Sequence, residues 1–113
     1  MRTLYKRRKR VMTQRVIALA GYETIDSALR DPAFDLPATE TALAISYRGK
    51  MFQGNLVAGL VWDALDKAHS ADRLARIVMQ RFHIDEVVAL RDVAALLEVL
   101  KSHELLEEVT EVQ

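Results

Sequence analysis

Cysteine is absent from the 113 residues, so neither a disulfide framework nor a thiolate metal site is available. No apolar run approaches the roughly 20 residues that a membrane-spanning helix needs. The opening MRTLYKRRKRVMTQRVIALAG has a basic stretch followed by apolar residues, but Thr13, Gln14 and Arg15 interrupt it. It is therefore a poor secretory signal, and the cytoplasm with no membrane association is the expected setting. Also missing are a glycine-rich phosphate loop, a G-x-S-x-G elbow and an H-E-x-x-H zinc motif. His69, His83 and His103 lie far apart without metal-ligand spacing. Ser27, Ser46, Ser70 and Ser102 have cap, strand or helix-end explanations, and Asp85-Glu86 and Glu107-Glu108 read as a helix start and a solvated tail. The sequence thus points to a non-enzyme with no catalytic residue, no metal and no cofactor.

Half of the residues are apolar and 28% are charged, an ordinary globular composition for one small domain. The formal net charge of zero hides a split. Residues 1–15 carry Arg2, Lys6, Arg7, Arg8, Lys9, Arg10 and Arg15 with no acidic residue, whereas the rest has nine Lys and Arg against sixteen Asp and Glu. The reading is a basic N-terminal arm over 1–15 and a single domain over 16–113. The arm either seeks phosphates or an acidic partner, or is a solvated, frayed terminus.

Along the chain, the apolar run within Met12–Ala20 suits a strand or a helix start, and Gly21 ends it. Thr24 to Arg30 reads as a helical turn or two, with Thr24 as N-cap, stopped by Asp31-Pro32. The two prolines, Pro32 and Pro37, mark Asp31 to Thr39 as a loop, with Phe34 and Leu36 as anchors. Thr41 to Tyr47 and Met51 to Gln53 flank Arg48-Gly49-Lys50, the best hairpin signal in the chain. Three helices follow. Asn55 caps the first, whose stripe is Leu56, Leu60, Val61 and Leu65 beside Trp62; Gly59 inside it predicts a close backbone approach. Ser70 caps the second, with Leu74, Ile77, Val78 and Phe82 inward, and His83-Ile84 makes the bend. Asp85 caps the third, with Val88, Val93, Leu96, Leu97 and Leu100 on its apolar side; Leu105 to Val112 is a short strand or an irregular tail. The order gives an α+β class: a small winged helix-turn-helix-like domain, with an N-terminal β-hairpin or three-stranded sheet followed by three helices.

The residue pattern of that helical half resembles the PqqD-like family. Gly54-Asn55, Val61-Trp62 and Leu65-Asp66-Lys67 stand where the family has a Leu-Asn-like pair, an Ile-Trp pair and a closing Leu-Asp-Gly. Ser70 and Phe82 fit the cap and the final aromatic of its second helix. Asp85, Asp92-Val93, Leu96-Leu97, Leu100 and Glu104-Leu105-Leu106 fit its third helix and the Gly-Leu-Leu after it. Lys67 and Glu104 thus occupy two positions where the family pattern has glycine.

The resemblance implies a peptide chaperone that performs no chemistry itself. It holds the leader segment of a ribosomally made precursor peptide by strand addition and presents it to a separate modifying enzyme: radical, ATP-dependent or a protease. The implied edge is Lys50, Met51, Phe52 and Gln53, and the implied wall is Val88, Arg91, Asp92, Ala95 and Leu96 of the third helix. Each has a plainer reading. Val88 and Leu96 suit a core, Asp92 suits a surface ion pair, and Met51 and Phe52 suit simple alternation. Two other classes compete. One is a winged-helix nucleic-acid binder that uses the basic arm, although Glu86 to Lys101 carries only Arg91 and Lys101 against Glu86, Asp92 and Glu98. The other is a dimeric interaction protein; the sequence is compatible with a monomer or a dimer.

Overall fold

A computed structural model describes residues 2–8, 12–14, 25–34 and 43–111. Its elements are β1 (Arg2–Arg7), β2 (Met12–Gln14), α1 (Ile25–Arg30), β3 (Leu43–Tyr47), β4 (Lys50–Gly54), α2 (Leu56–Ala64), α3 (Ala71–Phe82), α4 (Glu86–Ser102) and β5 (Leu106–Glu111). The α+β class holds, with small antiparallel sheets and α-helices. The chain forms two compact units, Arg10–Asp63 and Met1–Lys9 with Ala64–Gln113.

The Arg10–Asp63 unit is built on the sheet β2-β3-β4, all antiparallel. The turn between β3 and β4 has two residues, Arg48 at φ 50° and Gly49 at φ 78°. Two successive positive φ values are the signature of the type I′ turn, whose twist matches that of the strands it joins. Arg48 tolerates this conformation while its guanidinium lies 5.2 Å from the centre of the Tyr47 ring. Asn55 caps α2 as its side chain suggested: the Ala58 N–H donates to Asn55 Oδ1 at 3.0 Å. Leu56, Leu60, Val61 and Trp62 of α2 are buried, together with Leu43 and Ile45 of β3 and Ile25 and Ala28 of α1.

Gly59 shows why this helix tolerates a glycine. A methyl group there would overlap the Ile25 side chain and come within 3.7 Å of Leu43 Cβ. The predicted close approach is therefore real, but a packed side chain rather than backbone makes it. The Ile25 N–H, at the open start of α1, donates to Asp63 Oδ2 at 3.1 Å. Asp31 ends α1 by accepting from the Ala33 N–H at its side chain and from the Phe34 N–H at its carbonyl. Of the first apolar run, Met12–Gln14 is the strand β2. The remainder of that run, Thr24, and Leu36 with the rest of the loop lie outside the described residues.

The other unit holds α3, α4 and the ribbon β1-β5. Ser70 caps α3, its Oγ accepting from the Arg73 N–H at 3.3 Å. His83 closes α3 at φ 54°, its N–H donating to the Met79 carbonyl. Asp85 is the N-cap of α4 by position but forms no side-chain cap bond. At the other end, the Leu105 N–H donates to Leu100 O and the Glu104 N–H to Lys101 O, with Glu104 at φ 60°. This is a Schellman ending, and it puts Glu104 in the left-handed conformation that favours glycine. Here is the physical meaning of one of the two missing family glycines. Leu100 and Leu105 are buried at the junction, with Ala89, Val93 and Leu97 along α4 and Leu74, Ala75 and Val78 along α3. Ile77, Phe82, Val88 and Leu96 are half-buried.

The basic start is not a frayed terminus over its described part. Arg2–Arg7 pairs with β5 in full register, from Arg2 opposite Glu111 to Arg7 opposite Leu106. On its other side, Tyr5 and His69 exchange main-chain bonds of 2.8 and 3.0 Å, and the Arg7 N–H donates to Leu65 O. β1 is therefore an interior strand of this ribbon. Its pairing opposes Lys6 to Glu107, an opposite-charge cross-strand pair. The acidic strand β5 is thus a partner of the basic start.

Candidate functional site

β4 is an outer strand of its sheet: it pairs with β3, and no other described strand lies on its far side. Which of its main-chain groups are free follows from the turn. Tyr47 and Lys50 flank a two-residue loop, so they form the hydrogen-bonded pair that closes the hairpin. Bonding then alternates along the antiparallel ladder. Lys50, Phe52 and Gly54 direct their N–H and C=O groups towards β3, whereas those of Met51 and Gln53 point outward. An extended segment laid beside β4 would find two N–H donors and two C=O acceptors, spaced to match alternate residues of a strand.

The side chains alternate as well. Met51 and Gln53 share one face, where the Gln53 amide lies 3.7 Å from Met51 Sδ. Met51 is 57% exposed, a large apolar side chain left in water. Phe52 is half-buried on the opposite face beside Gly54, where a Cβ would come within 3.3 Å of its ring. Lys50 is exposed at the turn end of that face, next to Arg48. From Leu43 to Gly54 the hairpin has these two cations and no acidic residue.

The third-helix positions divide by burial. Arg91, Asp92 and Ala95 are exposed on α4, whereas Val88 and Leu96 are half-buried. Arg91 Nε lies 3.7 Å from Asp92 Oδ1, so Asp92 is paired with its neighbour rather than with a lysine. An ion pair this exposed holds its partners weakly and would give way to a better acceptor. Val87, 70% exposed, adds an apolar residue to the exposed face of α4. The Lys50–Gln53 edge belongs to one compact unit and the α4 positions to the other.

The histidines have positions at chain junctions. His83 supplies the left-handed turn after α3, and His103 ends α4 with Nδ1 2.8 Å from the Val99 carbonyl oxygen. His69 is the residue that bridges to β1; its Nδ1 is shut away from solvent without a hydrogen-bond partner. Burial, and then the nearby Arg73 charge, push the His69 imidazole below its ordinary value of 6.5. Lys101 lies 2.8 Å from Glu108, and that hydrogen bond holds the ammonium above its ordinary range. Among the described residues no group of three or more His, Asp or Glu side chains could hold a metal ion, and no helix is long and apolar enough to cross a membrane.

A family model described as coenzyme PQQ synthesis protein D (PqqD) matches residues 36–106, which include the β3-β4 hairpin, α2, α3 and α4. No curated protein and no solved structure matches the chain significantly. The matched stretch is well over half of the chain and contains the hairpin edge together with the capped helices, and on that ground the chain belongs to the PqqD family.

Proposed function

We propose that this protein binds the leader segment of a ribosomally made precursor peptide as an added strand on β4, and hands it to a separate modifying enzyme. Family membership carries the coarser part, a role in the biosynthesis of PQQ or of related peptide-derived products, within a family of non-catalytic accessory binding proteins. The observation that supports the finer part is the outward main chain of Met51 and Gln53, on an edge that no other described strand pairs with. Strand addition draws affinity from those main-chain groups and specificity from side chains on alternate residues. The work done for the enzyme is physical: the peptide core is held at a high effective concentration and in a fixed orientation. The setting is the cytoplasm, where such precursors are made, and the arrangement is that of a small winged helix-turn-helix domain.

Titration with a short precursor peptide encoded beside the gene tests this reading. Binding should be micromolar or tighter. It should be lost in Gln53→Pro, which removes an outward donor only, while circular dichroism shows the fold intact. Full binding by Gln53→Pro would reject strand addition to this edge. We further propose that the exposed Arg91 contributes to affinity for an acidic peptide. Arg91→Glu should then weaken that peptide about fivefold, as expected when an exposed pair worth roughly 1 kcal/mol is lost; unchanged affinity removes Arg91 from the site.

The nucleic-acid reading gains little from α4. Its two cations are Arg91, beside Asp92, and Lys101, bonded to Glu108. The phosphate attraction that dominates duplex affinity needs cations turned to a backbone.

A further inference from the structure

Resting on the strand-addition reading, we infer what the added segment looks like: it carries an acidic residue two positions after an apolar one, the acid opposite Lys50 and the apolar residue opposite Phe52. The register sets the two positions. An antiparallel segment bonds the outward groups of Met51 and Gln53, so its residues opposite those two form the hydrogen-bonded pairs. The residues opposite Lys50 and Phe52 then fall at non-hydrogen-bonded pairs. There the Cα atoms approach to about 4.5 Å and side chains touch most closely. The same face of the segment therefore meets two unlike neighbours.

Phe52 offers a half-buried ring that an apolar side chain would cover further. Lys50 offers an exposed ammonium on a hairpin with no carboxylate of its own from Leu43 to Gly54. Opposite charges directly across an antiparallel pair are favourable, and like charges are not. Because the segment runs opposite to β4, the residue facing Phe52 precedes the one facing Lys50. The pattern is apolar, any residue, acidic. Its other face meets Met51 and Gln53, which accept a wider range of side chains because both stand in solvent.

A display library of random peptides panned against the wild type, Lys50→Glu and Gln53→Pro tests the pattern. The wild type should enrich Asp or Glu two places after an apolar residue, and Lys50→Glu should replace that acid by Lys or Arg. A synthetic peptide from the wild-type pool should lose about fivefold in affinity when its acid is changed to lysine, the scale of one exposed charge pair. If Lys50→Glu enriches the same acidic peptides while Gln53→Pro enriches nothing, the charge rule is wrong and strand addition stands. If Gln53→Pro, folded by circular dichroism, enriches the same peptides as the wild type, strand addition fails and the rule with it. A wild type that enriches no pattern overturns both.

Discussion

The two outermost ladders of this protein are built to opposite ends. β1 is bonded on both sides, to β5 along one edge and to Leu65 and His69 along the other. Among the described strands, β4 pairs with β3 alone. The ribbon also balances its charge internally, with Lys6 across from Glu107 and Lys101 on Glu108. The hairpin leaves Arg48 and Lys50 without an acid on the same two strands. A strand paired along both edges closes a structure, whereas an outer strand leaves main-chain groups that an added segment could bond. The same secondary structure can thus be scaffold or site, and the difference lies in what its second edge meets.

Proline scanning should separate the two most clearly. In β1, Tyr5→Pro loses the bond to His69 and Lys6→Pro loses a ladder bond to β5, so neighbouring positions of both parities are sensitive. Each should cost about 1–3 kcal/mol in urea unfolding, the penalty for orphaning a buried acceptor. In β4, Phe52→Pro should cost a similar amount, but Gln53→Pro less than about 1 kcal/mol. Equal costs at Phe52 and Gln53 would show that the edge is not open. Next in size is Gly59→Ala. Its methyl must displace Ile25, and overpacking at about 1–3 kcal/mol outweighs a helix-propensity gain near 1 kcal/mol. The double variant with Ile25→Val should recover part of the loss if this contact is the cause.

Glu104→Gly should act in the other direction. It relieves the left-handed strain just before β5 and should stabilise by up to about 1 kcal/mol, seen as a small rise in Tm. Lys6→Glu sets like charges across the ribbon and should destabilise by about 0.2–1 kcal/mol, an effect that shrinks as salt rises. The smallest effect is that of pH. His69 is held below its ordinary value when folded, so the unfolded chain takes up the proton more readily. Stability should therefore fall as pH drops through 6.5 towards the folded value. His69→Gln should flatten that slope between pH 7 and 5.5, in a series of urea midpoints, which locates it beside β1 as the cause.

Most local features were legible because they depend on near neighbours. Asn55 and Ser70 are caps whose chemistry is complete within three residues, and Gly49 marks the hairpin through its own φ. The helical stripes identified much of the core for the same reason. Other features depend on residues distant in sequence. Nothing near Lys6 announces that Glu107 will face it, and Gly59 signals a close approach without naming Ile25. The edge itself was legible as Lys50 to Gln53, yet the distinction among those four residues needed the register. That distinction decides that Gln53, rather than Phe52, is the place for a proline. Glu104 was legible only as a departure from a family glycine; its φ of 60° gives the departure a physical cost.

The β1-β5 register sets an order on folding as the chain is made. Tyr5 meets Glu108, so β1, made before the other described elements, must wait for almost the last of the described residues before its ladder can form. Before then, among the described residues, the bonds to Leu65 and His69 can hold it, and those arrive about three-fifths of the way along the 113 residues. Loops this long close slowly, whereas the hairpin with its two-residue turn can form as soon as it emerges. The newborn chain therefore has its candidate binding edge in place while β1 is still unpaired. For that interval β1 is itself an extended segment in search of an edge.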